Sequence, residues 1–206
     1  MEQSEKLTPE AKTLIPRDVI RALGRGIRQS LAPHTQVIGE ELQKDVSITD
    51  DKDKTRISDM QNALDKTNGF IDDLETAEQV FIVPFYTGSS NLFGLYDFEF
   101  SSEKTAKDTP EADTIDIDAA TTAKLRRALN HNLNNTLGKI TGHSQLLSFN
   151  ADSDIANLGE IILSNADHIQ ERLKPILNAE TINITTDDLG NTRIRTTPLQ
   201  PKKEKE

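Results

Sequence analysis

Between Leu125 and Leu147 the chain reads LRRALNHNLNNTLGKITGHSQLL, and its apolar residues fall at Leu125, Leu129, Leu133, Leu137, Ile140 and Leu147. That spacing is helical and gathers the apolar side chains into one stripe. A single helix leaves such a stripe in water, so the rest of the chain must supply surfaces to cover it. His131 lies two residues after Leu129 and two before Leu133, and at 100° per residue it points about 160° away from each, outward. Asn132, Asn134 and Asn135 occupy the helix interior, where asparagine costs about 0.5–0.7 kcal/mol relative to alanine. Stability alone does not select them, so this helix is the candidate functional element.

Three further helical stripes are predicted. Ile155 to Thr181 places Leu158, Ile161, Ile162, Ile169, Leu173 and Ile176 at helical spacing, and residues 148–154 form the loop before it. Near the N-terminus, Pro16-Arg17-Asp18 reads as a helix start. Val19, Ile20, Leu23, Ile27, Leu31, Val37, Ile38 and Leu42 follow as its stripe, with Pro33 predicted to kink it. Residues 43–55 read as a charged loop. From Arg56 to about Gln79, Ile57, Met60, Leu64, Ile71 and Leu74 mark another helix.

Residues 80–100 hold five of the seven phenylalanines and both tyrosines around a TGSS turn, the signature of a β-hairpin. Pro84 cannot donate a ladder hydrogen bond, which predicts an edge position for the first strand. Residues 181–197 alternate around DDLGN as a second, more polar hairpin. The remaining segments read as a frayed terminus (1–16), a polar linker (101–117) and a disordered tail (198–206).

Helix, helix, hairpin thus occurs twice, over 17–100 and 118–197, which predicts an internal repeat. Aligning Arg21-Ala22-Leu23 with Arg127-Ala128-Leu129 puts Arg25 at the position of His131. Aligning Val37 with Ile140 and Gly39 with Gly142 puts Arg28 there. The fold expected is mainly α, two antiparallel helical hairpins forming one four-helix bundle within a single chain, each hairpin followed by a short β-hairpin.

The run His131-Asn132-Leu133-Asn134-Asn135-Thr136-Leu137, followed by Ile140, Gly142 and Leu146-Leu147, resembles the phosphoacceptor helix of the histidine kinase dimerisation and histidine-phosphotransfer domain. Residues 155–181 resemble the second helix of that hairpin, so the likeness spans about 119–180. It implies that His131 accepts a phosphoryl group, with Asn132, Asn135 and Thr136 beside it. Two positions depart from the family pattern: Asn132 stands where the family has an acid and Thr136 where it has proline. The family pairs two hairpins of two subunits, so the repeat reads as a monomeric pseudo-dimer with one live histidine. The implied partner is a response-regulator receiver domain, which would carry the Mg2+, or a histidine kinase. The alternative is a catalytically silent bundle that docks such a partner and controls it by occupancy.

Downstream of the acceptor helix no glycine-rich phosphate loop is found and too few residues remain for a nucleotide domain, so no autonomous kinase is expected. No cofactor bound by the chain itself is expected. The formal net charge of −10 disfavours nucleic acid and anionic membrane as partners and favours basic surfaces. Cysteine is absent, which excludes disulfides and thiol chemistry. The start MEQSEKLTPEAK lacks the pattern of a signal peptide, and a cytoplasmic location is expected. Of the other histidines, His34 reads as a half-buried packing residue and His143 and His168 as residues of solvated flanks. No pair has the close helical spacing of a zinc site.

Overall fold

The computed structural model describes residues 12–44, 46–84, 96–101, 114–187 and 191–199. Within them the chain is mainly helical, with four helices and two small antiparallel sheets. Strand β1 (Thr13–Ile15) leads into α1 (Arg17–Leu42), and α2 (Asp51–Thr76) follows. Strands β2 (Gln79–Pro84) and β3 (Tyr96–Ser101) complete the first unit. The second unit repeats the order: β4 (Thr114–Ile117), α3 (Ala119–Ser148), α4 (Ser153–Leu177), β5 (Ala179–Thr186) and β6 (Thr192–Pro198). Each sheet has three strands, in the order β1-β2-β3 and β4-β5-β6.

Both opening strands are corrections to the sequence reading. Residues 1–16 were expected to fray, yet Thr13–Ile15 pairs with β2, Ile15 opposite Val80, and buries Ile15. Residues 101–117 were expected to be linker, yet Ser101 ends β3, and Ile115 and Ile117 pair with Ile184 and Ile182. A strand of three or four residues is too short to show an alternation of its own. The long crossover through two helices hides its partner. Residues 1–11 and 102–113, the TGSS turn, the centre of DDLGN and residues 200–206 lie outside the described residues. The expected tail begins later than 198, because Pro198 closes β6 and the Leu199 N–H donates to Asn178 O at 3.1 Å.

Strand β1 also moves β2 from the predicted edge to the centre of its sheet. Pro84 is tolerated there because β1 pairs only as far as Ile82, and among the described residues nothing pairs with Pro84 on that side. Helix α2 starts at Asp51, five residues before the predicted Arg56, because the Asp50 carboxylate accepts the Lys52 N–H at 2.8 Å and caps it. Helix α1 runs unbroken through the exposed Pro33.

The order strand, two helices, two strands occurs twice, and the offset that best relates the two runs is neither of the two read from sequence. A constant offset of 102 (122 less 20) pairs Ile20 with Thr122, Leu23 with Leu125, Ile27 with Leu129, Leu31 with Leu133 and Ile38 with Ile140, all buried. The same offset carries Met60 to Ile162, Ile71 to Leu173, Leu74 to Ile176 and Ile82 to Ile184, and the capping Asp50 to Asp152. An offset of 103 rotates the partner helix by about 100° and carries the buried Leu31 to the exposed Asn134, while one of 106 slides it by about a turn, which keeps Leu23, Ile27 and Leu31 on buried leucines but carries the capping Asp50 to Ala156 and the buried Leu74 to the exposed Glu180. The residue equivalent to His131 is therefore Gln29, not Arg25 or Arg28.

Helix α1 lies against α2 and α4, and α3 lies against the same two. The units also interlock through their sheets, because α1 packs on β6 while α3 packs on β3. At Gly26 an added Cβ would stand 2.7 Å from the Ile194 side chain, so the absence of a side chain lets α1 seat on β6. Nearby, Gln29 Oε1 accepts the Thr192 N–H at 3.0 Å. Gly159 works similarly at the start of α4, where a Cβ would meet the Leu147 carbonyl carbon at 2.8 Å.

Gly159→Ala is expected to lower stability by about 1–3 kcal/mol, because backbone atoms of α3 cannot step aside. Gly138→Ala, whose Cβ would meet no atom within 4 Å, should instead gain about 0.5–1 kcal/mol from helix propensity. Urea unfolding of both variants, read as midpoints at constant slope, checks the pair.

Candidate functional site

Helix α3 carries all four residues singled out by the sequence. Its start is set by Asp118, whose carboxylate accepts the Ala120 N–H at 2.9 Å, the Thr121 N–H at 3.0 Å and the Thr121 hydroxyl at 2.6 Å. These bonds favour the ionised cap, so the Asp118 carboxyl titrates below its ordinary 3.8, the Thr121 hydroxyl contributing most.

The outward face of α3 holds Arg127, Asn134, Asn135, Gly138 and Gly142, all exposed, and His131 belongs to it. The imidazole is half-buried rather than fully presented to solvent, a correction to the helical-wheel reading. Strand β3 packs on the same helix and brings Tyr96 beside its basic residues. The Lys124 ammonium lies 6.0 Å and the Arg127 guanidinium 5.8 Å from the Tyr96 ring centroid.

Asn132 turns toward the sheet. Its Nδ2 donates to Asp97 Oδ1 at 2.8 Å and to Ala128 O at 3.0 Å, so the amide ties α3 to β3. Thr136 faces α2, donating to Leu133 O at 3.0 Å, with Thr67 Oγ1 2.9 Å from its hydroxyl oxygen. Asn135 is exposed and its amide makes no hydrogen bond among the described residues. The asparagines therefore divide their work: Asn134 bonds along its own helix to Asn130, Asn132 ties two units together, and Asn135 remains available.

Asn132, Asn135 and Thr136 all line an open groove of about 780 Å3 between α2 and α3. Lys139 on the same helix and Lys66 and Phe70 on α2 line it as well, with Phe100 of β3 at the sheet end. His131, one residue from Asn132 but about 100° around the helix, is not among its lining residues. The four candidate residues thus share a helix without sharing one cavity.

Sequence reasoning missed Asp97, Lys66 and Phe70. Asp97 lies 35 residues from Asn132 in the chain, and only the alternation in YDFEF marks it as a polar residue in a strand. The α2 residues carry no local signal, because their role follows from which helix lies beside α3.

The other histidines sort differently from one another. His34 is half-buried, as expected, and His168 is exposed. His143 is half-buried rather than on a solvated flank, with its Nε2 3.6 Å from Asp59 Oδ2 and its Nδ1 buried without a hydrogen bond. Among the described residues no three His, Cys, Asp or Glu side chains converge as a metal site would require. Among them, too, no helix is long and apolar enough to cross a membrane.

Because the folded-state pKa of Asp118 is depressed, the stability it contributes is complete above pH 3.8 and is lost as the pH falls through its lower folded value. Asp118→Asn, which keeps a capping oxygen without a charge, should therefore differ most from the parent above pH 3.8 and converge with it in more acid solution. Urea midpoints measured across that range check the convergence. No protein-family model, no curated protein and no solved structure matches this chain.

Proposed function

We propose that the chain is a two-component phosphocarrier that exchanges a phosphoryl group between His131 and an aspartate of a response-regulator receiver domain. The four helices would act as one intramolecular bundle, a pseudo-dimer in which the second unit carries the acceptor and the first unit covers its apolar stripe. The observation that carries this reading is the outward strip of α3 around the imidazole. Asn134 and Asn135 are exposed there, and at Gly138 and Gly142 an added Cβ would meet no atom within 4 Å. A flat partner surface can reach the helix backbone one to three turns from His131.

In the step proposed, the lone pair of a neutral imidazole nitrogen attacks the phosphorus of the receiver's acyl phosphate. The P–N bond forms as the P–O bond breaks, and the departing carboxylate keeps the electron pair. The ring then releases its remaining proton to solvent. The receiver's Mg2+ would neutralise charge on the transferring group, while the chain contributes position.

A second reading, a silent docking bundle, is favoured by Asn132. Its amide is committed to Asp97 and Ala128, so the position that carries an acid in the resembled family serves the packing of β3 here.

Mixing the chain with a receiver domain phosphorylated in advance separates the two. Acid-labile, base-stable phosphate on the parent chain that is lost in His131→Gln is the expected result. Receiver binding without label, retained in His131→Gln, would leave the docking reading. The pseudo-dimer has its own measurement: sedimentation velocity should give a monomer at all concentrations, and a tight homodimer would sink it.

A further inference from the structure

The repeat makes two helix interfaces comparable, α1 with α4 and α3 with α2, and they are finished differently. Between α1 and α4 the chain fills the gap itself. The His34 and His168 rings stack with centroids 5.1 Å apart. His34 Nδ1 lies 3.0 Å from Asn165 Oδ1, and Arg172 Nε donates to His34 Nε2 at 3.3 Å. An arginine Nε only donates, so the His34 Nε2 supplies the lone pair and its Nδ1 carries the proton, and both nitrogens of the His34 ring are satisfied.

The offset of 102 places Thr136, Lys66, Ala63 and Phe70 where His34, His168, Asn165 and Arg172 stand. Alanine is too short to bridge the helices, and Thr136 reaches across only as far as the Thr67 hydroxyl, 2.9 Å away. Gly69 replaces Glu171 and leaves open space, since a Cβ there would meet nothing within 4 Å. The gap stays open as the groove of about 780 Å3.

Its walls are chemically ordered. Along α2, Lys66 sits midway between Asp59 at one end and Asp73 at the other, and Lys139 faces the groove from α3. Lys66 and Lys139 are exposed and make no ion pair or hydrogen bond among the described residues, in a chain of net charge −10. Toward the sheet, the Phe70 and Phe100 rings meet edge to face with centroids 6.2 Å apart.

The groove is long, since α2 rises roughly 21 Å between Asp59 and Asp73 at its two ends. An extended peptide would find no free backbone groups on helical walls to pair with. The volume itself falls within the range of about 300–1,000 Å3 usual for small-molecule sites.

We propose that the α2–α3 groove is a binding site for a small, elongated anion bearing a flat aromatic ring, with Lys66 and Lys139 taking the anionic group and Phe70 and Phe100 the ring. The site does not depend on phosphotransfer at His131, and the equivalent place between α1 and α4 is occupied by the His34, His168 and Arg172 side chains.

Anilinonaphthalene sulfonate, an aromatic anion, serves as the probe on the full chain. Fluorescence titration should saturate at one site. Lys66→Gln combined with Lys139→Gln should weaken binding by about tenfold or more, and added salt should weaken it in the parent. Gly69→Glu, which places a carboxylate as in the sister groove and improves helix propensity, should weaken it similarly. Lys52→Gln, an exposed lysine outside the groove, should leave it unchanged. Circular dichroism establishes that each variant is folded. No saturable binding, or binding indifferent to both groove variants, overturns the site.

Discussion

The apolar stripe of α3 cannot be covered by the helix that follows it in the chain. Leu125, Leu129, Leu133, Leu137 and Ile140 are all fully buried, and α3 achieves this by lying against both α4 and α2, one from each unit. The sheets extend the same dependence, since the first helix of each unit seats on the third strand of the other. Two polar bonds lock that exchange. Gln29 of α1 holds the Thr192 amide of β6, and Asn132 of α3 holds Asp97 of β3. In register the two anchors differ by a single residue, Gln29 being equivalent to His131 and Asn132 following it.

The internal symmetry accounts for the scaffold and its breakage accounts for the surfaces. Buried apolar positions repeat through both units because the helices and strands must present the same faces to one another. Surface and groove positions are released from that requirement. One helix interface is closed by stacked imidazoles and a guanidinium, while the other keeps threonine, alanine and glycine and remains open. The outward strip with His131 likewise exists once, since Gln29 at the equivalent place is used to hold β6.

The helices were legible in the sequence because a period of 3.6 is a local property sustained over 25 or more residues. Strands Gln79–Pro84 and Tyr96–Ser101 were legible for a different reason, their β-branched and aromatic composition with a period of two. Strands β1 and β4 were not, since three or four residues carry too little pattern and their partners lie across two helices. The repeat register failed on Arg21-Ala22-Leu23 and Arg127-Ala128-Leu129, because a slide of one helical turn leaves the buried face of a helix nearly unchanged. The helix caps and strand positions that settle the register belong to the assembled chain.

By itself the sequence determined that four helices form and roughly where, which faces of those helices are apolar, and that His131 lies on the outward side of one of them. It did so because helical period and side-chain direction follow from backbone geometry alone. Only the tertiary structure decided what stands beside that face. It half-buried His131, diverted Asn132 to Asp97 and assembled a groove from α2, α3 and β3. Those outcomes depend on which apolar stripe each helix covers, and stripes of similar hydrophobicity carry no local mark of the partner they will choose.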